Sequence, residues 1–346
     1  MSTTATTAFA EPRYTPEVAR RTADVFQKMR RVVPEIEWPV HAPYVDAIRE
    51  WKARRNAVIL AHNYQTPEIF HGVADITGDS LALAQKAAET DADVIVMAGV
   101  HFMAETAKIL SPAKTVLIPD TEAGCSLAAS ITGADVRLLR ERYQDAPVVT
   151  YVNTSAEVKA ESDVCCTSAN AVEVVESLGV PRVIFLPDEY LGRYVASRTK
   201  TEVVLWQGHC EVHERFTGAE IAGFRSQHPG VSVLAHPECP PDVLAAADYV
   251  GSTAGMVRHL DLDRTRPSRV VLVTECSMSD NVAVQFPQTE FVRPCNLCPH
   301  MKRITLPKIL RALETMEHRV EVEPEVAVRA RRAVERMLAV GRGAGR

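Results

Sequence analysis

Three cysteines recur at a nearly constant spacing along the chain. Cys125, Cys210 and Cys298 lie 85 and 88 residues apart, and a threonine follows each of them after seven residues. Thiolates are ligands of iron–sulfur clusters, and three of them can hold a 4Fe–4S cluster while one iron stays open to a substrate. The spacing therefore predicts a single iron–sulfur site that takes one ligand from each of three repeats.

The Cys-x-x-Cys pair formed by Cys295 and Cys298 leaves alternatives open. Such a pair can be redox-active, form half of a zinc site, or supply one cluster ligand with a neighbour. His209, Cys210 and His213 are also zinc-type ligands, and zinc accepts mixed cysteine and histidine sets. The regular cysteine period favours a central cluster, because local zinc sites usually use cysteine pairs that are close in sequence.

The other four cysteines have no such spacing. Cys165 and Cys166 lie inside a predicted strand, where cysteine is commonly a small buried hydrophobe. Cys239 and Cys276 lie near the ends of predicted strands, where a structural and a chemical role are equally open.

Residue types used in acid–base catalysis follow one predicted strand of each repeat. They are His62 and Tyr64, Tyr151 and Asn153, and His236 and Glu238. Histidine and glutamate exchange protons, and tyrosine can donate to a developing oxyanion. The third strand of each repeat also ends in polar residues: Asp120, Asp188 and the pair Thr274 and Glu275. Because the position of His62 and Tyr64 is polar in all three repeats, we expect these two side chains and their counterparts after the corresponding strands to meet at one site.

Hydroxyl side chains precede or begin several predicted helices: Ser80, Ser168, Ser252 and Thr253. Hydroxyls beside the free N–H groups of a helix N-terminus bind carboxylates and phosphates. Ordinary helix capping by the same residues is the alternative, and the two roles can coexist.

Short apolar segments alternate with helical patterns and must position these residues. The predicted strands are Ala57–Ala61, Asp93–Ala98, Thr115–Ile118, Val148–Val152, Val164–Cys166, Arg182–Leu186, Glu202–Trp206, Val231–Ala235, Tyr249–Gly251 and Arg269–Thr274. This alternation indicates βαβ units with parallel sheets, which bind ligands beyond the carboxyl ends of their strands. We predict an α/β fold of three pseudo-symmetric α/β/α units around the iron–sulfur site.

The repeat divides the chain into five segments. Residues 1–42 form an N-terminal extension with one helix near residues 16–32, and units follow at 43–130, 131–216 and 217–316. The threonines after the first two cysteines, Thr132 and Thr217, begin sequences typical of a capping box. A helical tail at 317–346 is expected to pack against the third unit.

Composition limits the class of protein. The 346 residues carry a net charge of −5 and are 46% hydrophobic, which excludes a disordered chain and gives no reason to expect nucleic-acid binding. No apolar segment approaches the roughly 20 residues that span a membrane. Met1–Ala10 does not have the pattern of a signal peptide. Eight cysteines in such a chain are expected to be thiols or metal ligands.

Ten sequence blocks, in order, resemble the quinolinate synthase family over about residues 45–315. They are Ala61–Gln65, Gly78–Ser80, Gly99–Glu105, Pro119–Cys125, Thr150–Asn153, Cys166–Asn170, Gly208–Cys210, His236–Cys239, Gly251–Thr253 and Cys298–Lys302. The resemblance implies a cytoplasmic transferase of de novo NAD biosynthesis with the three-unit fold described above. It would condense iminoaspartate, supplied by an aspartate oxidase that it could contact transiently, with dihydroxyacetone phosphate. The products would be quinolinate, phosphate and water.

The resemblance also implies roles for individual residues. The cluster ligands would be Cys125, Cys210 and Cys298, with the open iron acting as a Lewis acid. Substrate carboxylates or phosphate would be held by His62, Ser80, Ser168, His236, Ser252 and Thr253. Intermediates would be positioned and deprotonated by Tyr64, Tyr151, Asn153 and Glu238, with Glu238 as the principal base and Tyr64 as a proton donor or orienting group.

One position departs from the family pattern. Some members have a third cysteine three residues before the position of Cys295, where this chain has Val292. A regulatory disulfide of Cys295 is therefore an open question. Two alternatives to quinolinate formation are an aconitase-like hydro-lyase acting on a hydroxy acid and a non-catalytic iron–sulfur sensor. A sensor would need a partner-binding or DNA-binding element, which the sequence does not show.

Overall fold

Three four-stranded parallel sheets form the framework of the protein. The computed structural model describes residues 11–262 and 267–343, so the first ten residues, on which the expectation of no signal peptide rests, lie outside it. The strands are β1 Ala57–His62, β2 Ile76–Gly78, β3 Val94–Ala98, β4 Thr115–Leu117, β5 Val148–Tyr151, β6 Val164–Cys166, β7 Arg182–Leu186, β8 Glu202–Leu205, β9 Ser232–Ala235, β10 Tyr249–Val250, β11 Arg269–Val273 and β12 Glu290–Val292.

The three sheets share one topology. Their strand orders are β2-β1-β3-β4, β6-β5-β7-β8 and β10-β9-β11-β12, and every pairing within them is parallel. In each sheet the central strands are nearly continuous apolar segments buried on both faces, as parallel sheets require. The predicted fold class of three related α/β units is confirmed.

Sixteen α-helices are described between and around these strands. They are α1 Pro16–Met29, α2 Trp38–Arg55, α3 Pro67–Phe70, α4 Ser80–Glu89, α5 His101–Leu110, α6 Ser126–Ala129, α7 Gly133–Arg142, α8 Ala156–Ala160, α9 Ala171–Ser177, α10 Glu189–Ala196, α11 Gly218–Gln227, α12 Pro241–Ala246, α13 Thr253–Leu262, α14 Ser277–Ala283, α15 Leu306–Thr315 and α16 Pro324–Gly343. Among the described helices, none has the length and apolar character needed to cross a membrane.

Helices α7, α11 and α15 begin at corresponding threonines of the repeat. Thr132 and Thr217 both form complete capping boxes, in which the side chain of Asp135 or Glu220 accepts from the threonine N–H and the threonine hydroxyl accepts from the third N–H of the helix. Thr305 occupies the same position before α15 but makes no side-chain cap. The third helix instead has a proline in its first turn, where a missing N–H costs nothing.

The C-terminal part of the chain returns to the first two units. Helix α15 packs on α2, and a bridge joins Arg319 to Leu117 at the edge of the first sheet. Helix α16 packs against α8, β6 and α5, with Val334 and Met337 buried among side chains of those elements. The expectation that the tail packs against the third unit is therefore wrong. The apolar side of α16 packs against helices and strands of the first and second units.

Candidate active site

A cavity lies where the carboxyl ends of the three sheets meet. It encloses about 720 Å³ of space between protein atoms, part of which is open to solvent. Of the thirteen residues predicted for the site, twelve line it: His62, Tyr64, Ser80, Cys125, Tyr151, Asn153, Ser168, Cys210, His236, Glu238, Thr253 and Cys298. The thirteenth, Ser252, is buried beside Thr253, and its hydroxyl accepts a hydrogen bond from the N–H of Gly255 at the start of α13.

Each of the three cavity cysteines precedes a short turn of helix. Cys125 comes directly before α6, and Cys210 and Cys298 come three residues before the 3₁₀ turns His213–Arg215 and Met301–Arg303. In all three, the sulfur faces the backbone N–H groups two and three residues further on, an arrangement that stabilises a thiolate. Each of the three repeats therefore contains the same kind of turn, in which backbone N–H groups face the sulfur of a cysteine.

Burial nevertheless opposes ionisation of these thiols. It raises the pKa of Cys125 to about 12, raises that of Cys210 well above its ordinary value, and raises that of Cys298. None of the eight cysteines is in a disulfide. Three unpaired sulfurs that line one cavity, each with backbone donors, fit the ligand set of an open-iron cluster. Binding of that cluster would release their protons.

A second ligand set overlaps the first. Cys210, His213 and Glu238 place one donor atom each within 4.8 Å of one another, which could hold a single metal ion. His209, the other zinc-type residue of this segment, instead pairs with Glu189 and stacks on Tyr190. Of the zinc-type residues predicted in this segment, Cys210 and His213 therefore lie together, whereas His209 does not join them.

Glu238 is held at both of its carboxylate oxygens. The hydroxyl of Tyr151 donates to its Oε1 at 2.5 Å, and Nδ1 of His213 lies 2.7 Å from its Oε2. Burial favours the neutral carboxyl, but His236, His213 and Tyr151 together outweigh burial and hold the pKa of Glu238 well below its usual range. The carboxylate is thus ionised and held at both oxygens.

Four rings near Glu238, those of His62, His236, Tyr64 and Tyr151, are uncharged at neutral pH. Burial lowers the pKa of both His62 and His236 to about 3. Burial and the Glu238 charge raise the pKa of Tyr64 and Tyr151 well above the ordinary value. Around the Glu238 carboxylate the cavity therefore presents the neutral side chains of these two histidines and two tyrosines.

Hydrogen bonds join residues from different units across the cavity. Nε2 of His236 lies 3.2 Å from the hydroxyl of Ser168, and Nδ2 of Asn63 donates to the hydroxyl of Thr253 at 2.8 Å. Oδ1 of Asn153 is buried and has no hydrogen-bond partner among the described residues, so it is available to a bound donor.

Two buried polar residues were missed as parts of this network. His213 was considered only as a zinc-type ligand, although it stands three residues after Cys210 and bridges Glu238 to Thr274. Thr274 lies 2.6 Å from the hydroxyl of Tyr64. For Thr274, the signal available in the sequence was the polar residue that follows the third strand of each repeat.

Cys295 lies apart from the cavity. It is exposed, and its sulfur is 2.9 Å from that of Cys276. The Cys-x-x-Cys spacing therefore does not bring Cys295 into the group of three cavity sulfurs.

Comparisons with known proteins identify the family. The family model described as "Quinolinate synthetase A protein" matches residues 46–339. The chain is 68% identical to "Quinolinate synthase 2" of Mesorhizobium japonicum over 92% of this chain and 98% of that protein. It is 66% identical to "Quinolinate synthase" of Agrobacterium fabrum over 92% of each chain, and 67% identical to that of Xylella fastidiosa over 86% and 87%. The resemblance seen in the motifs is confirmed, and the chain belongs to the quinolinate synthase family.

Proposed function

We propose that this cavity condenses iminoaspartate with dihydroxyacetone phosphate to form quinolinate, phosphate and water, a transferase reaction. The observation that carries the proposal is the meeting of three unpaired sulfurs and an ionised, doubly hydrogen-bonded glutamate in one cavity. The reaction needs a base that removes protons from carbon, a Lewis acid that assists the loss of hydroxide, and donors that bind anionic groups. Glu238 would be the base, the three cysteines would hold the Lewis acid, and the hydroxyls and histidines of the cavity would bind the anionic groups.

Cys125, Cys210 and Cys298 would hold a 4Fe–4S cluster in this proposal. When bound, the cluster supplies a Lewis-acidic iron that assists the loss of hydroxide. The thiols line the same cavity as the acid–base groups, so the substrate that reaches one set also reaches the other.

Glu238 is the proposed base. Its carboxylate is ionised, and it keeps lone pairs toward the cavity while Tyr151 and His213 fix its orientation. A base positioned in this way typically accelerates proton transfer by about 10²–10⁴-fold. The hydroxyls of Tyr64 and Tyr151 stay protonated and orient intermediates by hydrogen bonding.

Neutral donors are proposed to bind the anionic groups of the substrates. These donors lie at strand ends or near helix starts, where anions commonly bind, and they are His62, Ser80, Ser168, His236, Ser252 and Thr253. Asn153 would accept from a substrate donor through its unpartnered oxygen. Hydroxyls and N–H groups bind carboxylate and phosphate without a cluster of arginines.

An anaerobic assay tests the proposal directly. Purified protein with a full cluster is mixed with freshly generated iminoaspartate and dihydroxyacetone phosphate, and quinolinate is measured by chromatography. Formation of quinolinate with stoichiometric phosphate supports the proposal. Cluster-replete protein that forms none, or that dehydrates a hydroxy acid instead, contradicts it.

We also propose a place in metabolism. An enzyme that oxidises aspartate must supply the imine, which hydrolyses in water, so a transient contact with an aspartate oxidase would shorten the exposure of the imine. The reaction would take place in the cytoplasm as a step of NAD biosynthesis. A quinolinate yield that falls on joint dilution of oxidase and synthase as steeply as free diffusion and hydrolysis of the imine require would argue against the contact. Cell fractionation tests the location.

A further inference from the structure

We propose that Thr274 is a positioning residue that fixes the hydroxyl of Tyr64 and the ring of His213 for the chemistry at Glu238. The inference rests on the proposed function, in which Tyr64 and Glu238 act on the substrate. Thr274 follows β11 directly, is wholly buried, and does not line the cavity. It therefore acts from behind the residues that face the substrate.

Thr274 joins side chains from all three units. Its Oγ1 lies 2.6 Å from the hydroxyl of Tyr64, which follows a strand of the first sheet, and 2.8 Å from Nε2 of His213, which follows the second sheet. Thr274 itself belongs to the third. Direct contact between Tyr64 and His213 is poor, at 3.5 Å from the hydroxyl to Nε2, so the threonine is the main link between them.

Thr274 can bond both of its neighbours at once. A carboxylate only accepts, so the proton between His213 and Glu238 belongs to Nδ1 of the histidine, which also lies 3.2 Å from Sγ of Cys210. A threonine hydroxyl can donate one hydrogen bond and accept two, so Oγ1 of Thr274 can bond the hydroxyl of Tyr64 and Nε2 of His213 at the same time. Hydrogen bonds therefore connect Tyr64 through Thr274 and His213 to Glu238.

Loss of the Thr274 hydroxyl would break this series of hydrogen bonds at its centre. His213 is buried and Tyr64 is half-buried, and the Tyr64 hydroxyl and Nε2 of His213 would each lose the shorter of the hydrogen bonds that link them. Unpaired buried polar groups are costly, so the two side chains would reorient toward other partners. Reorientation of His213 would release one oxygen of Glu238. We expect turnover to suffer more than substrate binding, because Thr274 does not face the cavity.

The test compares two substitutions at this position. Thr274→Val removes the hydroxyl at similar volume, and Thr274→Ser keeps it. We expect Thr274→Val to lower kcat at least about tenfold with KM for both substrates within about twofold, and Thr274→Ser to stay within about threefold of the parent kcat. Thr22→Val is the matched control, because the Thr22 hydroxyl is also buried but donates only to the carbonyl of Val18 in α1. That control should leave kcat unchanged.

Two results would overturn the proposal. One is full kcat in Thr274→Val, and the other is an equal loss in Thr274→Ser, which would indicate that the methyl group matters and the hydroxyl does not. Thr274→Ala takes the place of the valine variant if the latter does not fold.

A measurement without substrate separates this inference from the proposed function. Thermal midpoints are compared for Thr274→Val, Tyr64→Phe and the double variant, with the cluster in place. We expect the loss in the double variant to be smaller than the sum of the single losses, because both changes remove the same hydrogen bond. Additive losses would contradict the positioning role. Failure of the parent enzyme to form quinolinate would overturn only the proposed function.

Discussion

At the scale of single residues, the site depends on which atoms are already engaged within the protein. Glu238 is held by Tyr151 at one oxygen and by His213 at the other, while its charge lies in a buried cavity. A buried charge persists only where hydrogen bonds compensate for lost solvation. The same bonds that stabilise the ion also fix the direction in which it can accept a proton.

Substitution of Glu238 by glutamine should separate catalysis from cluster binding. Glu238→Gln keeps the shape of the side chain but removes the base, so we expect at least about a 100-fold loss of kcat with unchanged visible absorption of the cluster. Steady-state kinetics and absorption spectra measure the two quantities. Glu335→Gln, on the exposed face of α16, is the control. Full activity in Glu238→Gln would exclude the proposed base.

The two cysteines of the Cys-x-x-Cys pair should differ in their effect on the cluster. Cys298 lines the cavity, whereas Cys295 is exposed and lies beside Cys276. We predict that Cys298→Ala abolishes the iron–sulfur absorption and that Cys295→Ala retains it. Iron and sulfide analysis of the anaerobically purified variants checks the result. The reverse pattern would show that the ligand is assigned to the wrong cysteine.

At the scale of elements, all ten predicted strands are present, and their ends differ by at most one residue. Two strands were not predicted: β2 and β12. Each is a three-residue edge strand, with one apolar side chain in β2 and two in β12, so the apolar pattern is too short to detect. Their hydrogen bonds to β1 and β11 define them, and those bonds depend on tertiary placement.

The capping threonines offer a matched test of helix stabilisation. Thr132→Ala removes the side-chain bond to the N–H of Asp135 and should lower the free energy of unfolding by about 1 kcal/mol. Thr305→Ala, at the equivalent position, removes no such bond and should cost less. Denaturant titration followed by circular dichroism gives both values. Equal losses would mean that the two threonines contribute through packing and not through capping.

At the scale of the whole molecule, buried polar contacts join the units around the site. Nζ of Lys302 donates to the backbone carbonyl of Tyr64 at 2.6 Å and lies 2.8 Å from Oε1 of Glu275. The carboxylate of Glu275 is wholly buried and also accepts from the N–H groups of Ser277 and Cys298. The turn that begins at Cys298 in the third unit is thereby connected to Tyr64, a cavity residue of the first unit.

Removal of the Lys302 charge should affect stability and the cluster together. Lys302→Met leaves Glu275 buried without its cation, which typically costs about 3–5 kcal/mol in a fully buried pair and less here, because Lys302 is partly exposed. We expect a lower thermal midpoint and faster loss of cluster absorption in air. Lys86→Met, from a solvent-exposed pair with Glu89, should change the free energy of unfolding by less than about 1 kcal/mol. Equal effects in the two variants would contradict the linking role.

The sequence by itself determined the repeat, ten of the twelve described strands and twelve of the residues that line the cavity. Those properties follow from local spacing, from apolar segments and from polar residues at strand ends, all of which are visible along the chain. Only the tertiary structure decided that His213 and Thr274 connect Tyr64 to Glu238, that Cys295 faces Cys276, and that α16 covers the first two units. The physical reason is that each of these contacts joins residues far apart in sequence, and their distances depend on how the three sheets pack.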